Sequence, residues 1–235
     1  MKLILFDIDG TLLLTDGAGR RAVGRALVAE AGTAGPIDTY RLDGKTDPQI
    51  VGDLLALAGH PDAQDEARIA AVCSRYVEML REELDRAPSA TRLMPGVGAL
   101  LEALRPLEAR GAALVGLLTG NLVSGAELKL RSAGLDPTRF AVGAYGSDAP
   151  RRTDLPAIAV GRAAERSGRR FTGPDVVIVG DTPADVTCGI AIGARSVGVA
   201  TGYYDVEALR AAGATHVFGS LADTASVLDV LFTTG

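Results

Sequence analysis

The chain has 235 residues, of which 47% are hydrophobic and 23% are charged, with a formal net charge of -5. This acidic balance argues against nucleic acid or an anionic membrane as the main partner. The two cysteines, Cys73 and Cys188, lie far apart with no CxxC spacing, which argues against a disulfide framework or a zinc site. No segment has the roughly 18 to 20 uncharged apolar residues of a membrane span. Because Asp7 and Asp9 interrupt the first apolar run, a secretory signal is not predicted either, and we expect a cytoplasmic monomer or homodimer.

The N-terminal sequence KLILFDIDGT contains an apolar run, Leu3 to Phe6, that predicts a buried strand. If this strand continued regularly, Asp7 and Asp9 would face the same side of it, because strand side chains alternate. Two neighbouring carboxylates repel each other and need a cation or a shared proton. The simpler alternative is a strand followed by a polar turn, since Asp and Gly are common turn residues.

Residues 15–87 show no convincing strand pattern and favour helices throughout. Apolar residues at helical spacing predict helices over 18–31, 48–58 and 65–86. Thr46 or Asp47 could cap the second helix, which has Pro48 near its first turn. The pattern therefore predicts an all-helical unit of residues 15–87.

From Met94 onward, strands alternate with helices. The predicted strands are 112–118, 140–145, 176–179, 196–200 and 216–218, and the predicted helices are 97–110, 122–133, 155–167, 183–192, 206–212 and 221–231. This alternation predicts an α/β fold with a Rossmann-like parallel sheet and helices on both faces. We therefore predict a core of residues 1–14 and 88–235 into which the helical unit is inserted.

Polar side chains follow several of these strands at the edge where open α/β sheets bind ligands. Hydroxyl, amide and guanidinium donors match phosphate oxygens, and clustered carboxylates suit Mg²⁺. The residues are Asp7 and Asp9 after the first strand, Thr119-Gly120-Asn121, Arg151 and Arg152, and Asp181 and Asp185 within GDTPAD. Their joint placement predicts a site for phosphoryl transfer.

These motifs resemble those of the haloacid dehalogenase superfamily. Asp7-x-Asp9-Gly10-Thr11 is similar to its first motif, Thr119 to its second and GDTPAD to its fourth. The third motif departs from the pattern, because many relatives have Lys in a K-P-x-P-D setting where this chain has RRTDLP. Arg152 is the favoured basic residue there, whereas an alignment on Pro156 selects Arg151. The segments GKTDPQI, in the helical unit, and MPGV, where the core resumes, are similar to segments of the phosphoglycolate phosphatase-like group, whose members have a helical cap.

The resemblance implies a Mg²⁺-dependent phosphatase that acts on a small phosphomonoester through an aspartyl-phosphate. It implies Asp7 as the nucleophile and Asp9 as the acid and base. Lys45, in the GKTD loop, could contact the substrate or could be an ordinary exposed lysine. The implied Mg²⁺ ligands are Asp7, the Asp9 carbonyl and Asp181, with Asp185 as a ligand or beside one; the implied phosphoryl contacts are Thr119, the Gly120 and Asn121 amides, and Arg152.

Two alternatives stay open at this point. A phosphosugar mutase or a phosphonate hydrolase would use the same superfamily chemistry. A non-catalytic phosphoacceptor domain, like a response-regulator receiver, has its aspartate on an internal strand and no helical insertion, so this chain fits it poorly. We expect the partner to be a small phosphorylated metabolite that the helical unit selects.

Overall fold

The computed structural model describes residues 1–87 and 90–233. Six strands form one parallel sheet, and they are β1 (Lys2–Phe6), β4 (Ala113–Leu118), β5 (Val142–Ala144), β6 (Val176–Gly180), β7 (Arg195–Val199) and β8 (His216–Phe218). Their order in the sheet is β5-β4-β1-β6-β7-β8, so the N-terminal strand lies in its interior. The predicted α/β fold with a parallel sheet is thereby confirmed.

Helices follow most of the strands and cover both faces of the sheet. They are α4 (Val97–Ala109), α5 (Val123–Ser132), α6 (Leu155–Ser167), α7 (Pro183–Cys188), α8 (Val206–Ala211) and α9 (Thr224–Phe232). The helix predicted over 183–192 is shorter than expected, because α7 ends at Cys188 and a separate 3₁₀ turn, Ile190–Ile192, follows. Gly189 lies at this break, and a side chain there would press on Ile178 of the sheet.

The sheet is held by apolar side chains on both of its faces. All five residues of β1 are buried. Ile4 and Phe6 belong to one hydrophobic cluster, while Leu3 and Leu5 belong to the cluster on the opposite face. Full burial of such a side chain contributes about 1.5–3 kcal/mol to folding. A strand buried on both faces explains why this segment has a continuous apolar run rather than an alternating one.

A short antiparallel ribbon, β2 (Leu13–Leu14) with β3 (Arg92–Leu93), was not predicted. It joins the segment that leaves β1 to the segment that returns before α4. Two-residue strands carry too little pattern to be recognised from sequence. The ribbon holds together the two connections between the sheet and the intervening helices.

Those helices are α1 (Ala18–Ala31), α2 (Asp47–Leu57) and α3 (Glu66–Arg86), close to the predicted bounds. They share a hydrophobic cluster of their own. Buried Glu83 on α3 bonds Arg21 and Arg25 of α1 at 2.8 and 2.9 Å. Leu122 and Leu128 pack against the same cluster, so the helical unit also contacts α5. Residues 88, 89, 234 and 235, which the sequence assigns to the core, lie outside the described residues. No described helix is both long enough and apolar enough to cross a membrane.

Candidate active site

The two N-terminal aspartates lie on a loop and not on a strand. β1 ends at Phe6, and the Asp7 amide still donates to the Val179 carbonyl of β6 at 2.9 Å. The chain then turns back at Gly10, whose φ of 81° lies in the left-handed region that favours glycine. The strand thus does not continue regularly through Asp9, and the alternative of a strand followed by a polar turn describes the backbone here. Asp7 lies at the sheet edge because it directly follows β1, and Asp9 lies on the loop that comes next.

Three buried carboxylates meet at this edge: Asp7, Asp181 and Asp185. One oxygen from each lies within 4.8 Å of the other two. Burial raises the pKa of Asp181 to about 9, and the charges of Asp185 and Asp7 add to the effect. Burial also raises the pKa of Asp7, to about 6, against the influence of nearby Arg152. The crowding of negative charge makes this a place where a cation is favourable.

The donor set fits a hard divalent cation. Mg²⁺ prefers carboxylate oxygens, and it is commonly bound by one or two carboxylates together with substrate phosphate. Thr11 fixes one of the carboxylates by donating its hydroxyl to Asp181 Oδ1 at 3.0 Å. A side chain at Gly10 or Gly202 would collide with the Asp181 carboxylate, so the close approach of both loops to Asp181 depends on glycine.

Asp185 is held by two elements at once. Its Oδ2 accepts bonds from the Thr182 amide at 3.0 Å and the Thr182 hydroxyl at 2.7 Å, as part of the capping box at the start of α7. Its Oδ1 contacts the Arg152 guanidinium. Both oxygens of Asp185 thus have protein partners, which orients Arg152 toward Asp7.

Arg152, and not Arg151, lies in the site. The Arg152 guanidinium is buried, and its Nη2 lies 3.1 Å from Asp7 Oδ1. Arg151 has 78% of its side chain exposed and pairs with Asp154. Asp185 and Asp7 keep the pKa of Arg152 above its ordinary value although burial opposes this. Arg152 Nε is buried and has no hydrogen-bond partner among residues 1–87 and 90–233, so it is a free donor beside Asp7.

A cavity opens at this edge of the sheet, and Asp7, Arg152 and Asp181 line it. Thr119, Gly120 and Asn121, which follow β4, line the same cavity. Thr119 is fully buried. The Asn121 side-chain amide donates to Thr119 Oγ1 and to Asp9 Oδ2, both at 2.8 Å. Sequence reasoning considered only the backbone amide of Asn121, so this side-chain link was missed.

Lys129 was missed altogether. It lies on α5 and is only 4% exposed, and its Nζ is 2.6 Å from Asp9 Oδ2 and 2.6 Å from Asn121 Oδ1. A lysine is almost never fully buried unless it is paired. The signal in the sequence was its position next to Leu130 and three residues after Ala126, on the buried side of a predicted helix.

The opposite side of the cavity, about 240 Å³ in volume, is formed by α1, α3 and the loop before α2. Thr46 caps α2, because its side chain accepts a hydrogen bond from the Gln49 amide at 3.2 Å. Of the two predicted cap candidates, Thr46 and Asp47, Thr46 is therefore the N-cap. The Thr46 hydroxyl donates to the Pro150 carbonyl at 2.6 Å. Contacts of this kind join the helical unit to the loops that follow β4 and β5.

Asp47 makes two further contacts with the loop after β4. Its amide donates to the Gly120 carbonyl at 2.8 Å, and its Oδ2 accepts the Leu122 amide at 2.8 Å. Burial raises the pKa of Asp47 to about 6, while nearby Lys129 acts in the opposite direction. A side chain at Gly120 would clash with the Lys45 carbonyl, so this close approach depends on glycine.

Lys45 lines the cavity, but its ammonium group has partners within the helical unit. Its Nζ is 3.1 Å from Asp53 Oδ2 and contacts the Tyr40 hydroxyl. The nearby Arg20 guanidinium donates to the carbonyl of Tyr40 at 2.9 Å and also contacts the Ile37 carbonyl. Lys45 therefore lines the cavity with its ammonium group held by Asp53 and Tyr40.

Comparisons with known proteins show the family and the fold of the chain. A family description of haloacid dehalogenase-like hydrolases matches residues 1–193. Among curated protein sequences, none matches the chain significantly. Similar solved structures include a hydrolase from Pseudomonas syringae, with 21% identity, coverage of 99% of this chain and 100% of that one, and a TM-score of 0.74.

Two further structures share the fold. CbbY from Rhodobacter sphaeroides, solved in complex with phosphate, has 20% identity, coverage of 95% and 96%, and a TM-score of 0.72. A protein described as a predicted phosphoglycolate phosphatase from Haemophilus somnus has 20% identity, coverage of 97% and 98%, and a TM-score of 0.69. At these identities the structures support the fold, whereas the family match covers most of the chain. The chain belongs to the haloacid dehalogenase-like hydrolases.

Proposed function

We propose that this hydrolase is a Mg²⁺-dependent phosphatase that cleaves a small phosphomonoester through an aspartyl-phosphate on Asp7. The observation that carries the proposal is the setting of Asp7. Its buried carboxylate lies 3.1 Å from the Arg152 guanidinium, beside Asp181 and Asp185, at the base of a cavity. A nucleophilic carboxylate next to cationic donors is what an anionic phosphoryl group requires.

In the first step, an oxygen of Asp7 attacks phosphorus while the bond from phosphorus to the ester oxygen breaks. Asp9 gives its proton to the departing oxygen, so that an alcohol leaves. Proton transfer by a positioned group typically contributes ~10²–10⁴-fold in rate. The Asp9 side chain is 41% exposed, so its carboxylate can reach a group in the cavity.

In the second step, Asp9 takes a proton from water, and the water oxygen attacks the phosphorus bound to Asp7. The bond to Asp7 breaks, inorganic phosphate leaves and the free carboxylate returns. Thr119, the Gly120 and Asn121 amides and the unpartnered Arg152 Nε are the proposed donors to the phosphoryl oxygens. These donors are held before the reaction begins, so little reorganisation is needed.

Asp7, Asp181 and the Asp9 carbonyl would hold Mg²⁺, with Asp185 at its side. When bound, the metal would offset the repulsion between the anionic nucleophile and the anionic substrate. Asp185 would act mainly by orienting Arg152, because both its oxygens already have protein partners. This arrangement leaves Asp181 as the carboxylate most available to a cation besides Asp7.

We further propose that residues 15–87 act as a cap over the core formed by residues 1–14 and 88–235. The cap contacts the loops after β4 and β5 through Thr46 and Asp47, above the proposed phosphoryl site. Closure of such a lid would exclude water while the ester is cleaved. A cavity of about 240 Å³ suits a small phosphorylated metabolite, and Lys45 is the proposed contact to its distal part.

A screen over phosphorylated metabolites tests the proposal. The purified protein, with Mg²⁺, is expected to release phosphate from at least one small phosphomonoester. The panel includes phosphosugars analysed for transfer of the phosphoryl group to another hydroxyl, and phosphonates analysed for cleavage of the carbon–phosphorus bond. Transfer without release would favour a mutase, phosphonate cleavage would favour that alternative, and no turnover of any compound would contradict the proposal.

A further inference from the structure

The strongest feature outside the predicted motifs is the buried Lys129. Removal of an ammonium group from water is costly unless the charge is paired and hydrogen-bonded. For Lys129 this cost is offset by two hydrogen-bond acceptors, because its Nζ lies 2.6 Å from both Asp9 Oδ2 and Asn121 Oδ1. The side chain thus reaches from α5 to the loop that carries the proposed acid and base.

Asp9, Asn121 and Lys129 form a closed triangle of hydrogen bonds. Lys129 donates to the other two residues, and Asn121 Nδ2 donates at 2.8 Å to the same Asp9 oxygen, Oδ2. Within residues 1–87 and 90–233, no side chain donates to the second oxygen, Oδ1. The triangle therefore fixes one oxygen of Asp9 and leaves the other for a reacting group.

The triangle is also tied to the phosphoryl side of the cavity. Asn121 Nδ2 donates to Thr119 Oγ1 at 2.8 Å as well as to Asp9. The position of the Asp9 carboxylate is thereby linked to that of a proposed phosphoryl-binding hydroxyl. The leaving oxygen is bonded to the phosphorus that Thr119 is proposed to hold. The distance from Asp9 to that oxygen therefore depends on the link through Asn121.

We propose that Lys129 is a positioning residue that, together with Asn121, holds Asp9 Oδ2 so that Oδ1 meets the leaving-group oxygen in the first step and water in the second. The inference rests on the proposed phosphatase function. The rival role is that Lys129 binds the substrate directly with its third N–H donor. The two roles differ in what the enzyme loses when the side chain is shortened or replaced.

Lys129→Met keeps most of the side-chain volume and removes all three donors. With an alkyl phosphate, whose leaving oxygen needs a proton, we expect kcat to fall by ~10²-fold, since misplacement of a catalytic group by about 1 Å costs this much. With p-nitrophenyl phosphate, whose leaving group needs little protonation, the first step is expected to fall by less than ~10-fold. KM for both substrates is expected to stay within ~3-fold.

Lys2→Met is the matched control. Lys2 is also a buried lysine, but it lies at the opposite end of β1 and donates to the Pro174 carbonyl at 2.8 Å. The same substitution there is expected to leave the ratio of alkyl to aryl turnover unchanged. Lys129→Arg, which keeps a cation with several donors, is expected to recover part of the alkyl phosphate activity. If Lys129→Met does not fold, Asn121→Ala breaks the same triangle from its other corner and is expected to give the same selective loss.

Three results would overturn the inference while the phosphatase function stands. They are equal losses in the first-step rate of the two substrates, measured in single-turnover experiments, a KM raised by ~10-fold or more with kcat unchanged, and no loss of activity in either Lys129→Met or Asn121→Ala. The parent enzyme separates this failure from failure of the proposed function. A parent that releases no phosphate from either ester contradicts the function itself, and the role of Lys129 falls with it.

Discussion

The two walls of the cavity differ in how their charged groups are placed. On the core wall, Asp7 and Asp181 each follow a strand directly, and their neighbours at the sheet edge are fixed by strand order. On the opposite wall, formed by residues of the helical unit and called here the cap wall, Asp47 lines the cavity at the start of α2, which is held to the loop after β4 by the bond from the Leu122 amide to Asp47. In the proposed function, the core wall supplies the groups for chemistry and the cap wall encloses them.

The difference has an energetic side as well. The core wall concentrates three carboxylates against one guanidinium, and a divalent cation would relieve their repulsion. The cap wall uses single hydrogen bonds, each with a net contribution of about 0.5–1.5 kcal/mol. Changes to the core wall should therefore abolish activity, whereas changes to the cap wall should reduce it by smaller factors.

Removal of one core carboxylate tests the first half of this comparison. Asp181→Asn is expected to weaken Mg²⁺ binding by at least ~100-fold, more than the loss of a group outside the ligand shell, and to reduce phosphate release in proportion. Titration calorimetry with Mg²⁺ measures the binding, and addition of a chelator to the parent is expected to stop turnover until Mg²⁺ is restored. Asp154→Asn is the control, because Asp154 pairs with the exposed Arg151. Full turnover by the parent in excess chelator would contradict the metal site.

Loss of one contact on the cap wall should have a smaller effect. Asp47→Ala removes the acceptor of the Leu122 amide, so we expect kcat/KM to fall by ~10-fold and that amide to exchange its hydrogen faster. Asp38→Ala, on an exposed aspartate of the loop between α1 and α2, is the matched control. Unchanged exchange at Leu122 together with unchanged kcat/KM would show that Asp47 does not hold the cap to the core.

The smallest predicted effect is a difference in pH dependence. The folded-state pKa of Asp47, about 6, lies above the ordinary value near 4, so folding favours its protonated form. Its contribution to stability is therefore complete below about pH 4 and is lost as the pH rises through 6. Asp47→Asn keeps an acceptor oxygen without a charge, so its free energy of unfolding should fall less between pH 5 and 7.

Denaturant unfolding at saturating Mg²⁺ measures this difference, because the metal keeps the core carboxylates in one state in both proteins. The difference in slope for one proton is at most about 1.4 kcal/mol per pH unit. Parallel curves for the parent and Asp47→Asn would rule out a buried Asp47 that titrates near pH 6.

The same comparison explains what could be predicted from the sequence. Strands buried on both faces leave long apolar runs, so the parallel sheet and the residues after Phe6, Leu118 and Gly180 could be located. Arg152 was favoured over Arg151, and the structure places it beside Asp7, but the sequence left Arg151 open because the directions of adjacent side chains in a turn depend on how the turn folds. The β2–β3 ribbon was too short to leave a pattern.

Lys129 was not considered at all and Asp47 only as a helix cap, for a related reason. Each lies on a helix, and its role depends on how that helix packs against a loop far away in the chain. Helical periodicity identifies a buried face but not the polar partner that a buried charge meets. The need for glycine at position 120 has the same origin, because it arises from the close approach of the Lys45 carbonyl, which belongs to the helical unit.

The central claim is that Asp7 is the nucleophile and Asp9 the acid and base, and acid-quenched mass spectrometry tests it most directly. Asp9→Asn keeps the nucleophile but lacks the base for the second step, so incubation with p-nitrophenyl phosphate and Mg²⁺ should accumulate a phosphoryl group on the peptide that contains Asp7. Asp7→Asn, incubated identically, should never carry the label. A phosphoryl group on the Asp7→Asn protein, or on any residue other than Asp7 in the parent, would contradict the mechanism.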